Sequence, residues 1–193
     1  VELDFFGGEP LMNFEVVKQV VAYARSKEQE YGKHFRFTIT TNGMLLNDDN
    51  IDFINKEMSN VVLSIDGRKA VNDRMRKRVD GKGSYDIILP KYQRLVAQRG
   101  DKEYYVRGTY TKYNLDFSND VFDLLEHGFD RSEVRIRPAR GGFARNPRGI
   151  RALGADLYGS PRERQVVQLL PLHVGFGSRP LCHQASAGLW LRQ

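Results

Sequence analysis

Hydrophobic and polar positions alternate between two periods along the first 130 residues. Val1–Phe6 reads as a strand, and Phe14–Tyr31 sets Val16, Val17, Val20, Val21 and Ala24 on one side of a helix. Asn13 is placed to cap that helix and Gly32 to stop it. A second strand spans Phe35–Thr41 and turns at Asn42-Gly43, and Asn47–Asp49 caps a helix running through Met58. Asn60–Ile65 is a short, strongly apolar strand ending in Asp66-Gly67. Residues 68–83 are charged and glycine-containing, and they read as a long exposed loop. Ser84–Gln98 has a helical pattern, Glu103–Thr111 a strand pattern and Asn119–His127 a helical one. Strand and helix in repeated alternation imply parallel strands with crossover helices. The candidates are an open doubly wound sheet or part of a (β/α) barrel. In either, ligands gather at the C-terminal edge of the strands.

That edge carries the unusual polar residues: GGEP after the first strand, TTNG after the second, SIDG after the third and RGTYTKYN within the fourth. Gly7 and Gly8 admit torsions that other residues resist and let a ligand approach the main chain. Pro10 stiffens the turn and can start a helix, which holds Glu9 where a carboxylate can meet an ammonium group. Thr40, Thr41 and Asn42 offer hydroxyl and amide groups, and Gly43 ends their strand. Ser64 and Asp66 alternate along the third strand end. Each has a plain reading alone: a solvated glutamate, an Asn-Gly turn, a helix cap. Together they put carboxylates, hydroxyls and amides on adjacent strand tips, as an amino-acid-like ligand requires.

FFGGEPLMNF, followed at this spacing by TTNG and SIDG, resembles the radical S-adenosylmethionine enzymes. Within them it is most similar to the SPASM-containing peptide maturases. The resemblance implies an α/β fold, a partial (β/α)6 TIM-like barrel truncated at its N-terminus. It also implies a 4Fe–4S cluster that cleaves S-adenosylmethionine reductively to a 5′-deoxyadenosyl radical. Glu9 would hold the methionine ammonium, with the Gly7-Gly8 backbone against it and Pro10 fixing the turn. Thr41, Asn42, Gly43, Ser64 and Asp66 would form the rest of the cofactor pocket. Arg107 would take an anionic group of cofactor or substrate. The family's CxxxCxxC cluster loop precedes the GGEP strand and would lie upstream of Val1. Catalytic and metal-ligating residues are therefore expected to be absent from this chain, which reads as a piece of a longer protein. Its single cysteine, Cys182, cannot supply the three thiolates of a cluster.

Charge divides the chain in two. Residues 1–130 carry ten Lys and nine Arg against 21 Asp and Glu, whereas residues 131–193 carry eleven Arg, no Lys and three acids. The overall charge of +6 thus belongs wholly to the tail. RGGFAR within it would suit nucleic acid. The absence of lysine points instead to GC-rich coding sequence read in the wrong frame. Read one nucleotide later, residues 165–193 admit a product that resembles the approach to the SPASM domain in maturases of six-cysteine (SCIFF) peptides. The expected organisation is a radical SAM core over 1–130 and a basic, non-native tail over 131–193, in which the Cys182-His183 pair has no meaning as a metal site.

The expected function of the parent protein is formation of thioether crosslinks in a small, ribosomally made, cysteine-rich precursor peptide. The fragment itself is expected to be inactive. A flavodoxin or ferredoxin would supply electrons. The alternatives are a sulfatase-type SPASM maturase, or a nucleic-acid-binding α/β protein with a basic tail. No stretch approaches 18 unbroken apolar residues and no basic-then-apolar leader opens the chain, so the expected address is cytoplasmic, without a membrane partner.

Overall fold

Three stretches that alternate in burial, β1 (Glu2–Phe5), β2 (Arg36–Thr41) and β4 (Glu103–Tyr110), pair with a fourth that is buried almost throughout, β3 (Asn60–Ser64), to begin the sheet. The computed structural model describes residues 1–138 and 189–192. Two further strands, β5 (Val134–Pro138) and β6 (Leu189–Arg192), complete the order β5-β4-β3-β2-β1-β6. Strands β1 to β5 are mutually parallel, and β6 runs antiparallel along β1. Helices α1 (Phe14–Tyr31), α2 (Asp48–Glu57), α3 (Lys69–Met75), α4 (Tyr85–Ala97) and α5 (Ser118–Glu126) provide the crossovers.

The period-two pattern sorts the strand residues into two faces. Leu3, Phe5, Phe37, Ile39, Val61, Leu63, Val106 and Ile136 are buried in one core with Val17, Val21, Ile54, Ile88, Leu95 and Leu124 from the helices. The helices therefore cover one face of the sheet. The alternate residues, including Glu2, Asp4, Thr38, Thr40, Val62, Tyr105, Arg107 and Arg135, line a concave cavity of about 620 Å³. A parallel sheet covered by helices on one face and polar on its concave face is the geometry of a barrel arc.

Helix limits follow local chemistry. Gly32 ends α1 in the left-handed conformation, and Asn47 caps α2 through a reciprocal box with Asn50. Asn13 makes no side-chain cap; α1 instead continues from a 3-10 turn at Pro10–Asn13 that Glu9 caps.

Two expectations require correction. Residues 68–83 are not one open loop. They contain α3, whose Asn72 amide donates to the Ser84 hydroxyl at 3.1 Å, and a Lys77–Gly83 bridge. The sheet does not end at residue 130, because β5 pairs in register with β4 and buries Val134 and Ile136. The V-R-I-R alternation carried that strand signal inside a segment dominated by its arginines. An arc of a barrel leaves two sheet edges without a neighbouring barrel strand, and here β6 occupies the outer edge of β1. Cys182 and His183 lie outside the described residues.

Candidate functional site

The tips of β1, β2 and β3 converge on the Glu9 carboxylate. Gly7, at φ 152°, lets the chain leave β1 in a conformation that side-chain-bearing residues avoid. Glu9 then stands in extended backbone, and its Oε1 accepts from the Leu11 N–H at 3.2 Å. The Thr41 hydroxyl donates to the same oxygen at 2.8 Å, and the Asn42 N–H donates to Oε2 at 2.7 Å. A carboxylate has about four acceptor directions, so these three bonds leave one, on Oε2. A Cβ built on Gly8 meets nothing within 4 Å, which leaves the main chain beside Glu9 approachable. A second cavity of about 290 Å³, lined by Phe6, Gly7, Gly8, Glu9 and Pro10, opens beside this turn.

The β2 and β3 tips are held by a residue the sequence reading passed over. Tyr92, from α4, is fully buried, and its hydroxyl lies 3.1 Å from the Thr41 carbonyl and 3.2 Å from the Ser64 carbonyl. Burial raises its pKa and keeps the hydroxyl protonated as a donor. Gly43, at φ 77°, passes so close to this ring that a Cβ there would lie 2.5 Å from it. Tyr92 was legible only as one more apolar position in a helical pattern.

The predicted site residues thus take different parts. Glu9 and the Gly7-Gly8 main chain face accessible space. Thr41 is 1% exposed and acts through Glu9, and the Asn42 side chain accepts from the Met44 N–H at 3.0 Å while its own N–H serves Glu9. Pro10 opens the 3-10 turn. Ser64 is buried at the end of β3. Asp66 is committed elsewhere: 2% exposed, it pairs with the Arg76 Nε at 2.8 Å and accepts from the Arg76 Nη2 at 3.0 Å and the Thr109 N–H at 2.9 Å. It fastens the β3 tip to β4 and to the segment after α3. Neither Arg76 nor that bond was anticipated, although an unpaired aspartate at a buried strand end demands a cation.

Arg107 belongs to the concave cavity, with its guanidinium 5.8 Å from the centre of the Phe6 ring. Burial, then the nearby Arg137 and Arg76, lower its pKa. Its positive charge is poorly compensated, the condition that favours an incoming anion.

Residues 1–129 match the radical SAM superfamily. The chain belongs to the radical SAM superfamily. The chain is 27% identical over 142 residues to an uncharacterized protein of Synechocystis sp., spanning 68% of this chain and 35% of that protein. It is 32% identical over 84 residues to an uncharacterized protein of Methanocaldococcus jannaschii, spanning 44% of this chain and 28% of that one. The chain therefore spans about a third of the curated relatives it matches. Among solved structures, anSMEcpe with bound AdoMet and the Kp18Cys peptide is similar at 20% identity and a TM-score of 0.60, over 71% of this chain and 37% of that one. A domain of pyruvate-formate lyase-activating enzyme from Bacteroides vulgatus is similar at 15% identity and a TM-score of 0.57, over 77% of this chain and 88% of that one. These likenesses establish the fold, and they agree with an arc of a TIM-like barrel.

The site fits the two groups of the superfamily unequally. Glu9, with its remaining acceptor direction beside an approachable Gly8, suits the ammonium of S-adenosylmethionine. For the iron–sulfur cluster, no three His, Cys, Asp or Glu side chains group to hold a metal among the described residues. Those residues do not fit the cluster. Among them, too, no helix is long and apolar enough to cross a membrane.

Proposed function

We propose that this chain is the S-adenosylmethionine-binding part of a peptide maturase that forms thioether crosslinks in a small, ribosomally made, cysteine-rich peptide. The observation that carries the reading is the convergence of Glu9, Thr41 and Asn42 at the tips of β1 and β2, next to Phe6 and Thr40 of the concave cavity. S-adenosylmethionine, when bound, supplies the radical chemistry that removes hydrogen from the peptide. The protein's part is placement. Glu9 takes the methionine ammonium on its free acceptor direction, and Thr41 and the Asn42 N–H keep the carboxylate turned toward it. The open main chain at Gly8 lets the ligand lie close. The concave face receives the peptide and keeps water from the reacting carbon. A small electron-transfer protein of the flavodoxin or ferredoxin type completes the proposed set of partners.

The anSMEcpe structures contain AdoMet together with peptides named Kp18Cys and Cp18Cys. This favours a second reading, a sulfatase-type maturase acting on one Cys or Ser. Co-expression of the full-length protein with a cysteine-rich peptide, followed by mass spectrometry, separates the two. Thioether formation removes two hydrogens per crosslink and leaves the sulfur resistant to alkylation after reduction. An aldehyde in place of a single Cys or Ser would establish the second reading instead.

The loss of lysine after residue 130 supports a reading-frame break in the tail. We place the break beyond Pro138, because Val134 and Ile136 pack into the core. The nucleotide sequence around codons 125–193 tests this placement: an intact maturase frame beyond codon 138 is expected, and its absence would refute the break.

A further inference from the structure

The concave face has an uneven charge distribution that the placement of S-adenosylmethionine at Glu9 does not explain. Its lower part pairs its charges, with the Arg36 Nη2 and the Glu103 Oε2 at 3.1 Å. The part nearer the strand tips holds Arg107 on β4 with Arg135 and Arg137 on β5. Arg107 lies directly opposite Arg135 in the strand register, and Arg137 lies opposite Thr109 one step further along. Like charges directly opposite each other on neighbouring strands destabilise a sheet. Among the described residues, no carboxylate lies within 4.0 Å of any of these three guanidinium groups. The nearest acid to influence Arg107, Asp66, is already held by Arg76.

Two details show that Arg107 and Arg135 are built into the cavity, while Arg137 is exposed at its edge. The Arg135 Nε is buried and has no hydrogen-bond partner among the described residues. The Arg135 guanidinium lies 3.8 Å from the centre of the Tyr105 ring, and that of Arg107 lies over Phe6. A guanidinium lying over an aromatic ring gains a favourable contact there and still has N–H groups to donate. The unpaired Nε costs stability unless something accepts from it. A planar, twofold acceptor with negative charge satisfies all three conditions, and a carboxylate is such a group.

We propose that Arg107, Arg135 and Arg137 form a carboxylate-binding subsite that selects a substrate peptide bearing an acidic side chain close to the reacting residue. This rests on the reading of the chain as part of a peptide maturase and narrows the class of peptide. The acids on the opposite wall, Glu2 and Asp4 on β1, repel a second carboxylate and so orient the peptide across the cavity. S-adenosylmethionine also carries a carboxylate, and it is the competing source of the same chemistry.

The test uses the full chain and two short, capped, cysteine-containing peptides that differ only in Asp against Asn beside the cysteine. Binding is followed by calorimetric titration, with S-adenosylmethionine alone as a third ligand. The expected result is about tenfold tighter binding of the Asp peptide, one charge-assisted hydrogen-bond pair's worth. In the Arg107→Gln/Arg135→Gln double variant that ratio falls to about one, while S-adenosylmethionine affinity is unchanged. The melting temperature of the double variant should not fall, because the like-charged pair has been removed. If the double variant does not fold, the Arg107→Lys/Arg135→Lys variant replaces it; it keeps the charge, loses the planar fork and should retain only part of the preference. Equal binding of the two peptides by the unaltered chain, binding of neither, or an unchanged ratio in the variants would overturn the subsite. Loss of S-adenosylmethionine affinity with the peptide ratio intact would assign the arginines to the cofactor, and that also overturns it. A maturase that forms no thioether yet keeps the Asp preference refutes the crosslinking reading alone.

Discussion

Glu9 does two jobs with one carboxylate. It caps the 3-10 turn and joins the β1 tip to β2 through Thr41 and Asn42, and one acceptor direction is left over for the proposed ligand. Glu9→Gln replaces one acceptor oxygen with a donor, so a hydrogen bond from Thr41 or Asn42 is lost. The expected cost is about 1–3 kcal/mol of stability, read from denaturant unfolding. A fall in S-adenosylmethionine affinity of about tenfold should accompany it. A variant as stable as the parent would show that these bonds contribute little. The GGEP, TTNG and SIDG motifs made Glu9, Thr41 and Asn42 legible as members of one site. What could not be read was the division of labour, because whether a hydroxyl faces a ligand or a neighbouring carboxylate depends on packing between strands. Asp66 illustrates the point: its carboxylate is spent on Arg76 and Thr109. Gly43 gives a sharper test of the same packing. Gly43→Ala would set a methyl group against Tyr92 in a backbone conformation that favours glycine. The expected loss is about 2–4 kcal/mol, from overpacking and torsional strain together. Tyr92→Phe loses only the hydroxyl and should cost less, about 1 kcal/mol.

Between elements, side chains decide the joints that periodicity leaves open. The Glu28 carboxylate near the end of α1 accepts from the Phe35 N–H at 2.7 Å and from Arg25 at 2.7 Å, tying the helix to the entry of β2. These contacts, the Phe35 N–H first, hold its pKa below the usual glutamate value of 4.5. A carboxyl group with a depressed folded pKa stabilises fully above its unfolded value and loses that contribution as pH falls through the folded one. The chain should therefore lose stability as pH drops below 4.5. Glu28→Gln should flatten that acid limb while costing stability at neutral pH. Thermal unfolding followed across this range checks it, and identical pH profiles would contradict it. Elements with plain periods, such as α1 and β3, appear within a residue of where the pattern puts them. Helix α3 was hidden because its seven residues present one short, charged stretch, KAVNDRM, whose burial rests on Asn72. Strand β5 was hidden by composition, its Val134 and Ile136 set among arginines.

Across the whole molecule the sheet separates two environments: an apolar layer under the helices and a charged concave face. Central strands β2, β3 and β4 are paired on both sides, so their amides should exchange slowest with solvent, and those of β5 faster. Hydrogen exchange by mass spectrometry measures that order, and faster exchange in β3 than in β5 would contradict the sheet described here. The parallel sheet with crossover helices was legible from the strand–helix alternation and the barrel arc from the resemblance carried by GGEP, TTNG and SIDG, whereas the arginine cluster was not legible, because it arises from the register of β4 against β5. The proposed function stands on S-adenosylmethionine binding at the tips of β1 to β3 through Glu9. It is tested most directly by titrating S-adenosylmethionine into the isotopically labelled chain and following backbone amide resonances. Saturable shifts confined to Gly7, Gly8, Glu9, Asn42 and neighbouring amides are expected, markedly weakened in Glu9→Gln. Shifts that never saturate in the millimolar range, or that cluster away from these residues, would contradict it.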